Sequence, residues 1–109
     1  MSNEALRSAG VPDPVQGALA ASGASAALSP QLGRPVMLTL WGEWAGDVQV
    51  QRSYDGGITW HDMTTGGGEF WGLYHTICDE EVWVPTTPGV RLRANFVRAS
   101  GTLSYRLGH

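Results

Sequence analysis

The sequence predicts an all-β protein, an antiparallel β-sandwich of about seven strands that carries an N-terminal arm. After residue 35, apolar and polar residues alternate with a period of two, and glycines and prolines separate the alternating runs. All ten aromatic residues lie at or after Trp41, and 109 residues have room for one small domain. We therefore expect an Ig-like or jelly-roll-like sandwich over residues 36–109, and an extended or partly helical arm over residues 1–35.

The arm is predicted from its composition. Residues 1–35 contain twenty-one Ala, Ser, Gly or Pro and no aromatic side chain that could anchor a core. The alanines of residues 17–28 favour a helix, but Gly23 interrupts it, and an isolated helix of this length is marginal in water. We expect the arm to order against a partner, with a disordered tail as the alternative. The candidate contact residues of the arm are Leu19, Leu28, Leu32 and Arg34.

The strands follow in order along the rest of the chain. The predicted ranges are 36–44, 47–53, 58–63, 69–76, 80–85, 89–98 and 102–107. In the first of them Val36, Leu38 and Leu40 alternate with less apolar neighbours, and the last two strands alternate most cleanly. Residues 99–101, Ala-Ser-Gly, are predicted to form a hairpin turn between those last two strands.

Residues 53–60 contain the most specific local motif. They run Ser-Tyr-Asp-Gly-Gly-Ile-Thr-Trp and resemble the Asp-box hairpin of sialidases and related propeller proteins, in which the box is structural. We expect the Asp55 carboxylate to accept hydrogen bonds from the following amides and Trp60 to fold back over the turn. A propeller needs several blades, for which this chain has no room. The predicted structural turn comprises Ser53, Asp55, Gly57, Thr59 and Trp60.

Composition and spacing argue against several kinds of chemistry. The net charge is −3 and all seven basic residues are Arg. The sequence therefore shows no basic surface of the kind that binds nucleic acid. The region before residue 35 is too polar for a membrane span. Cys78 is the single cysteine, and on a strand it would face away from His75, so we expect no metal site and no cofactor. The carboxylates show no catalytic spacing, and we expect no enzyme.

Five tryptophans are more than a thin core needs. Two alternatives remain open for Trp41, Trp71 and Trp83. Either they fill the space between the sheets, or they are exposed and form an apolar surface for a protein neighbour or a sugar ring.

Three segments carry a second resemblance. Residues 28–40, residues 48–60 and residues 100–107 look like small virion proteins of tailed bacteriophages and prophages, in which an Arg-Ser-x-Asp-Gly-Gly-x-Thr-Trp hairpin is followed by a C-terminal Tyr-Arg-Leu or Tyr-Arg-Val strand. The acidic residues 79–81 and the cluster of Trp71, Tyr74 and Trp83 are not part of that pattern.

The resemblance implies a non-enzymatic virion structural protein, such as a capsid decoration, cement, head-fibre or tail-associated part. Such a protein would be made in the bacterial cytoplasm, would attach to capsid or tail subunits through residues 1–35, and would be a homo-oligomer in the particle. The alternative is a carbohydrate-binding or host-surface-binding module, in which Trp41, Trp71, Tyr74 and Trp83 stack on a surface glycan and the acidic residues bind its hydroxyl groups. Neither alternative calls for nucleic acid or a membrane, and a head or tail location stays open.

Overall fold

The computed structural model describes residues 11–109, which form an antiparallel β-sandwich and so confirm the predicted fold class. These residues contain eleven strands and no helix. The strands are β1 Val15–Leu19, β2 Gly23–Ala24, β3 Val36–Trp41, β4 Trp44–Ser53, β5 His61–Asp62, β6 Thr64–Thr65, β7 Glu69–Phe70, β8 Leu73–Tyr74, β9 Cys78–Trp83, β10 Arg91–Gly101 and β11 Leu103–Gly108.

The strands pair in two main sheets. Sheet 1 has the order β1-β11-β3-β9, and sheet 2 has the order β2-β10-β4-β5, with β8 also pairing with β4. The strands β6 and β7 form a separate two-stranded ribbon. The strand β9 forms one edge of sheet 1, and β5 and β8 form one edge of sheet 2. The chain between β4 and β9 connects these two edges.

The core lies between the two sheets and follows from the alternation in the sequence. Every second residue of β3 is buried, and so is every second residue at the start of β10. The Trp44 ring meets the Phe96 ring edge-on at 5.7 Å between centroids. The buried apolar residues that fill the core are Leu28, Val36, Leu38, Leu40, Val48, Val50, Met63, Val82, Leu92, Ala94, Phe96, Leu103, Tyr105 and Leu107.

The predicted hairpin at residues 99–101 is wrong. The strand β10 continues to Gly101 in sheet 2, whereas β11 belongs to sheet 1, so the chain crosses between the sheets here. It crosses a second time between β3 and β4, and Thr102 N donates to the Glu43 carbonyl oxygen at 2.9 Å, which joins the two crossings. Gly101 has a φ of +78°, and a Cβ at this position would collide with the same carbonyl group.

The predicted arm is wrong for the described residues before residue 35, because these residues belong to the sandwich. The strand β1 pairs with β11 over five residues, and β2 pairs with β10. Leu28 and Leu92 exchange two backbone hydrogen bonds of 2.7 and 3.0 Å, and Leu28 is only 2% exposed. The expected helix over residues 17–28 does not form, since Gly17 and Gly23 weaken it and backbone partners are offered by the sheet edges.

Residues 30–35 are also tied to the domain. Gln31 N donates to Nε2 of His109, and Nδ1 of that ring donates to the Pro35 carbonyl oxygen at 2.9 Å. Gly33 N donates to the Pro85 carbonyl oxygen. The division at residue 35 is therefore not the boundary of the folded unit, and the part of the predicted arm over residues 1–10 lies outside the described residues.

The connection between β4 and β9 contains shorter strands than predicted. The expected strand 58–63 is reduced to β5, because residues 54–60 form a turn. The expected strand 69–76 is divided into β7 and β8 by Gly72, whose φ is +64°. The predicted strands 36–44 and 47–53 leave residues 45–46 as their connection. In the structure the turn between β3 and β4 lies earlier, at Gly42, with a φ of +93°.

Candidate functional site

The connection over residues 54–77 carries an unusual amount of exposed apolar surface. Ile58 is 84% exposed and Phe70 is 82% exposed. Nine large apolar side chains are exposed among residues 11–109, and five of them belong to this connection, namely Tyr54, Ile58, Phe70, Trp71 and Ile77. Exposed apolar side chains that are scattered singly are ordinary, whereas a concentration of them indicates an interaction surface. We call residues 54–77 the apolar connection.

The connection begins with the turn over residues 53–60, which is held by its own side chains. Asp55 Oδ1 accepts hydrogen bonds from Ile58 N at 3.1 Å and from Thr59 N at 2.8 Å. The Ser53 hydroxyl donates to Asp55 at 2.7 Å and accepts a hydrogen bond from Gly57 N at 2.9 Å. The bonds from the Thr59 amide and the Ser53 hydroxyl hold the pKa of Asp55 well below its ordinary value.

Trp60 closes this turn against sheet 2. Its indole Nε1 donates to the Gly57 carbonyl oxygen at 2.9 Å, and the Arg93 guanidinium lies 4.3 Å from the ring centroid. Nε of Arg93 also donates to Gln51 Oε1 at 2.7 Å. The polar groups of the turn are thus used within the turn and the sheet, and the turn presents Ile58 to solvent.

A groove of about 450 Å³ lies where the apolar connection passes from sheet 2 to sheet 1. Its walls come from residues 70–75, which include β8, and from β9. The side chains that matter most for its chemistry are Phe70, Trp71, Tyr74, His75, Glu80 and Glu81. We call this feature the aromatic groove. It combines aromatic rings with carboxylates, and no Arg lines it.

Trp71 is fixed in the aromatic groove by hydrogen bonds to both sheets. Its indole Nε1 donates to the Val82 carbonyl oxygen in β9 at 3.2 Å. Its own carbonyl oxygen accepts a hydrogen bond of 2.8 Å from Nε2 of Gln49, a buried side chain of β4. Gly72 lies close to Val50, where a Cβ would be tightly packed. The Trp71 ring is therefore held in place, and the part of it that remains exposed is carbon surface.

Two hydrogen-bonding groups face the groove beside this ring. Burial, and next the negative charge of Glu80, raises the pKa of Tyr74 to about 12, so its hydroxyl is protonated at neutral pH. On the rim, the Nδ1 atom of His75 donates to Asp47 Oδ1 at 2.6 Å. The groove thus offers the Tyr74 hydroxyl and the carboxylate oxygens of Glu80 as polar contacts for a ligand.

Cys78 lies at the start of β9, and it is half-buried. Burial, and next the charge of Glu80, raises the pKa of its thiol above the ordinary value, which favours the protonated form over a reactive thiolate. Within residues 11–109 no group of three or more His, Cys, Asp or Glu side chains is arranged to hold a metal ion. Across the same residues, no helix is long and apolar enough to cross a membrane.

The three tryptophans proposed as contact residues have different surroundings. Trp71 is 47% exposed and lies in the aromatic groove, while Trp41 is 45% exposed at the end of β3 and does not line it. Trp83 packs against the core and lies under the Arg52 guanidinium, 4.7 Å from its ring centroid. The two alternatives for these residues are therefore not exclusive, because exposure differs from one indole to the next.

The contact residues proposed in the arm also differ in their burial. Leu28 lies in the core, so the expectation that it contacts a partner is wrong. Leu19 is partly buried and packs against the core, and its contact with a partner stays a prediction. Their burial follows from the strand pairing of residues 15–28. Leu32 and Arg34 are exposed.

Sequence reasoning missed Phe70 and His75 as members of one site. The available signal was the density of aromatic residues on both sides of Gly72, but the approach of residues 70–75 to β9 depends on the sheet topology. No family model matches the chain, and searches of curated proteins and of solved structures likewise return no match.

Proposed function

We propose that the chain is a non-enzymatic structural protein of a tailed phage or phage-like particle, such as a capsid decoration, cement or fibre part, made in the bacterial cytoplasm and assembled into the virion. The proposal is supported by the resemblance of residues 28–40, 48–60 and 100–107 to small virion proteins. In the fold, these segments supply the Leu28 bridge, β3, most of β4 with its turn, and β11. The resemblance thus concerns the framework of both sheets.

The observation that carries the proposal is the apolar connection. Ile58 and Phe70 leave more than four fifths of their surfaces in water. Covering apolar surface contributes about 25 cal/mol per Å² in favour of association. We infer that attachment uses this surface, which would contact capsid or tail subunits or a second copy of the chain.

Particle association can be tested with exposed residues of similar character. Particles are purified by density gradient from the bacterium that encodes the chain, and the chain is quantified by mass spectrometry. The double variant Ile58→Ser, Ile77→Ser removes two exposed apolar side chains of the connection, neither of which lines the aromatic groove. The control is Val97→Ser, because Val97 is 57% exposed but lies on β10 outside the connection.

We expect the wild type and the Val97→Ser control to purify with the particles, and the double variant to fall by about tenfold or more. Circular dichroism of each purified chain establishes that it is folded. Absence of the wild-type chain from the particles, or retention of the folded double variant at the wild-type level, would contradict the proposal.

The aromatic groove favours a second function, the binding of a surface glycan by a tail or fibre assembly. The two functions are compatible because Ile58 and Ile77 of the apolar connection lie outside the groove, although Phe70 and Trp71 belong to both surfaces. A structural part of a particle can therefore leave the groove open to a ligand.

A further inference from the structure

We propose that the aromatic groove binds a neutral sugar residue stacked on the Trp71 indole, with Glu80 and Tyr74 hydrogen-bonding to its hydroxyl groups. The inference rests on the second function proposed above, and it holds for the isolated chain whether or not that chain belongs to a particle.

The first step of the argument is the Trp71 ring. Its only polar atom, Nε1, is already bonded to the Val82 carbonyl oxygen, so its exposed part offers aromatic carbon alone. A pyranose ring presents C–H groups on its faces and hydroxyl groups around its edge. The C–H face suits the electron-rich face of an indole. Because the ring is anchored to β4 and β9, little side-chain freedom is lost when a ligand binds.

The second step concerns the polar groups around the ring. The carboxylate of Glu80, whose charge acts on Tyr74, accepts hydrogen bonds, and the Tyr74 hydroxyl both donates and accepts. These groups match the hydroxyl groups along the edge of a sugar, which donate and accept. The volume of about 450 Å³ lies within the range of small-ligand sites, roughly 300–1,000 Å³.

Charge then selects the kind of sugar. Glu80 and Glu81 lie in the lining, no Arg does, and His75 is engaged by the Asp47 carboxylate. A sialic acid or a uronic acid would place a further negative charge beside the Glu80 carboxylate, and within residues 11–109 no Arg lines the groove to balance it. Such a juxtaposition is unfavourable in a partly desolvated groove. A neutral sugar meets no such cost.

The proposal is tested by titrating the purified full-length chain while its tryptophan fluorescence is recorded. The neutral probes are maltotriose, lactose and N,N′,N″-triacetylchitotriose, and 3′-sialyllactose is the acidic counterpart of lactose. We expect saturable binding of at least one neutral probe with a Kd below about 5 mM. If lactose binds, 3′-sialyllactose is expected to bind about tenfold more weakly.

Two tryptophans provide a matched pair of variants, since Trp41 and Trp71 have nearly equal exposure and only Trp71 lines the groove. For the neutral probe that binds, we expect Trp71→Ala to raise the Kd by about tenfold or more, and Trp41→Ala to leave it within about twofold. Isothermal titration calorimetry supplies the Kd where a variant removes the fluorescence signal.

Glu80→Gln keeps the proposal testable if Trp71→Ala does not fold. The amide keeps the size of the side chain but weakens its hydrogen bonds to hydroxyl groups, so we expect the Kd to rise about three- to tenfold. The proposal is overturned if no neutral probe binds with a Kd below about 5 mM. It is also overturned if folded Trp71→Ala binds like the wild type, if Trp41→Ala loses as much binding, or if Glu80→Gln has no effect. None of these results depends on particle association, which the Ile58 and Ile77 variants test separately because neither residue lines the groove.

Discussion

The indole Nε1 of Trp71 donates a hydrogen bond to the backbone carbonyl oxygen of Val82 across 3.2 Å. Val82 belongs to sheet 1, and the carbonyl oxygen of Trp71 is bonded to Gln49 of sheet 2. One residue therefore bridges the edges of both sheets while its ring remains half-exposed. These two hydrogen bonds hold residues 70–75 in place. Because residues 70–75 form one wall of the aromatic groove, the fold itself fixes the shape of the groove.

The first prediction concerns Leu28, which lies in the core although it comes from the segment that composition assigns to an arm. Leu28→Ala is expected to lower the free energy of unfolding by about 2–4 kcal/mol, because it leaves a cavity between the sheets. The exposed Leu32 provides the control, and Leu32→Ala should change stability by less than about 0.5 kcal/mol. Urea unfolding measures both. Equal, small effects would mean that residues 15–33 do not belong to the core.

The second prediction concerns the crossing between the sheets at Gly101. Both Gly101 and Gly89 have a φ near +80°, but only Gly101 lies against the Glu43 backbone. Gly89→Ala is expected to cost about 1–2 kcal/mol for its conformation alone. Gly101→Ala adds a collision with backbone and should cost at least about 2 kcal/mol more. Chemical denaturation of the two variants measures the difference, and equal costs would refute the described crossing.

The third prediction concerns the Ser53 hydroxyl, which is fully buried and bonded to both Asp55 and Gly57. Ser53→Ala is expected to destabilise the fold by about 1–2 kcal/mol, because the Gly57 amide loses its acceptor. The exposed Ser100 is the control, and Ser100→Ala should change the free energy of unfolding by less than about 0.5 kcal/mol. A stability of Ser53→Ala equal to that of the wild type would show that the turn does not depend on this hydroxyl.

The fourth prediction is a pH dependence set by Asp55. Its pKa in the folded state lies below the ordinary value of 3.8, so the ionised carboxylate stabilises the folded state. This contribution is fully present above about pH 5 and declines as the pH falls from the ordinary pKa towards the lower folded pKa. Asp55→Asn lacks the charge at every pH. We expect its melting temperature to lie below that of the wild type at pH 6, and the gap to narrow towards pH 2. A gap that is independent of pH would contradict this.

The fold class could be predicted from the sequence because the core strands β3, β10 and β11 alternate between buried and partly exposed positions. The strand β1 could not be recognised in this way. It is an edge strand whose three central residues are exposed, so its side chains follow no alternation. Its place in the fold comes from backbone hydrogen bonds to β11, which any sequence of small residues can make.

The candidate site could be predicted only in part. Trp71 and Tyr74 stood out as aromatic residues within a glycine-rich stretch, and Glu80 belonged to a conspicuous acidic run. Their meeting depends on β8 and β9 lying in different sheets, which is a property of the topology and not of local pattern. The crossing at residues 101–102 could not be told from a hairpin, because both need a glycine between two alternating runs.

A cryo-electron microscopy map of the proposed particle tests the central claim most directly. The account predicts that each copy of the sandwich contacts a neighbouring subunit through the apolar connection, with Ile58 and Ile77 buried in that contact. A particle without the chain would contradict the account, as would copies in which both side chains face solvent and attachment occurs elsewhere.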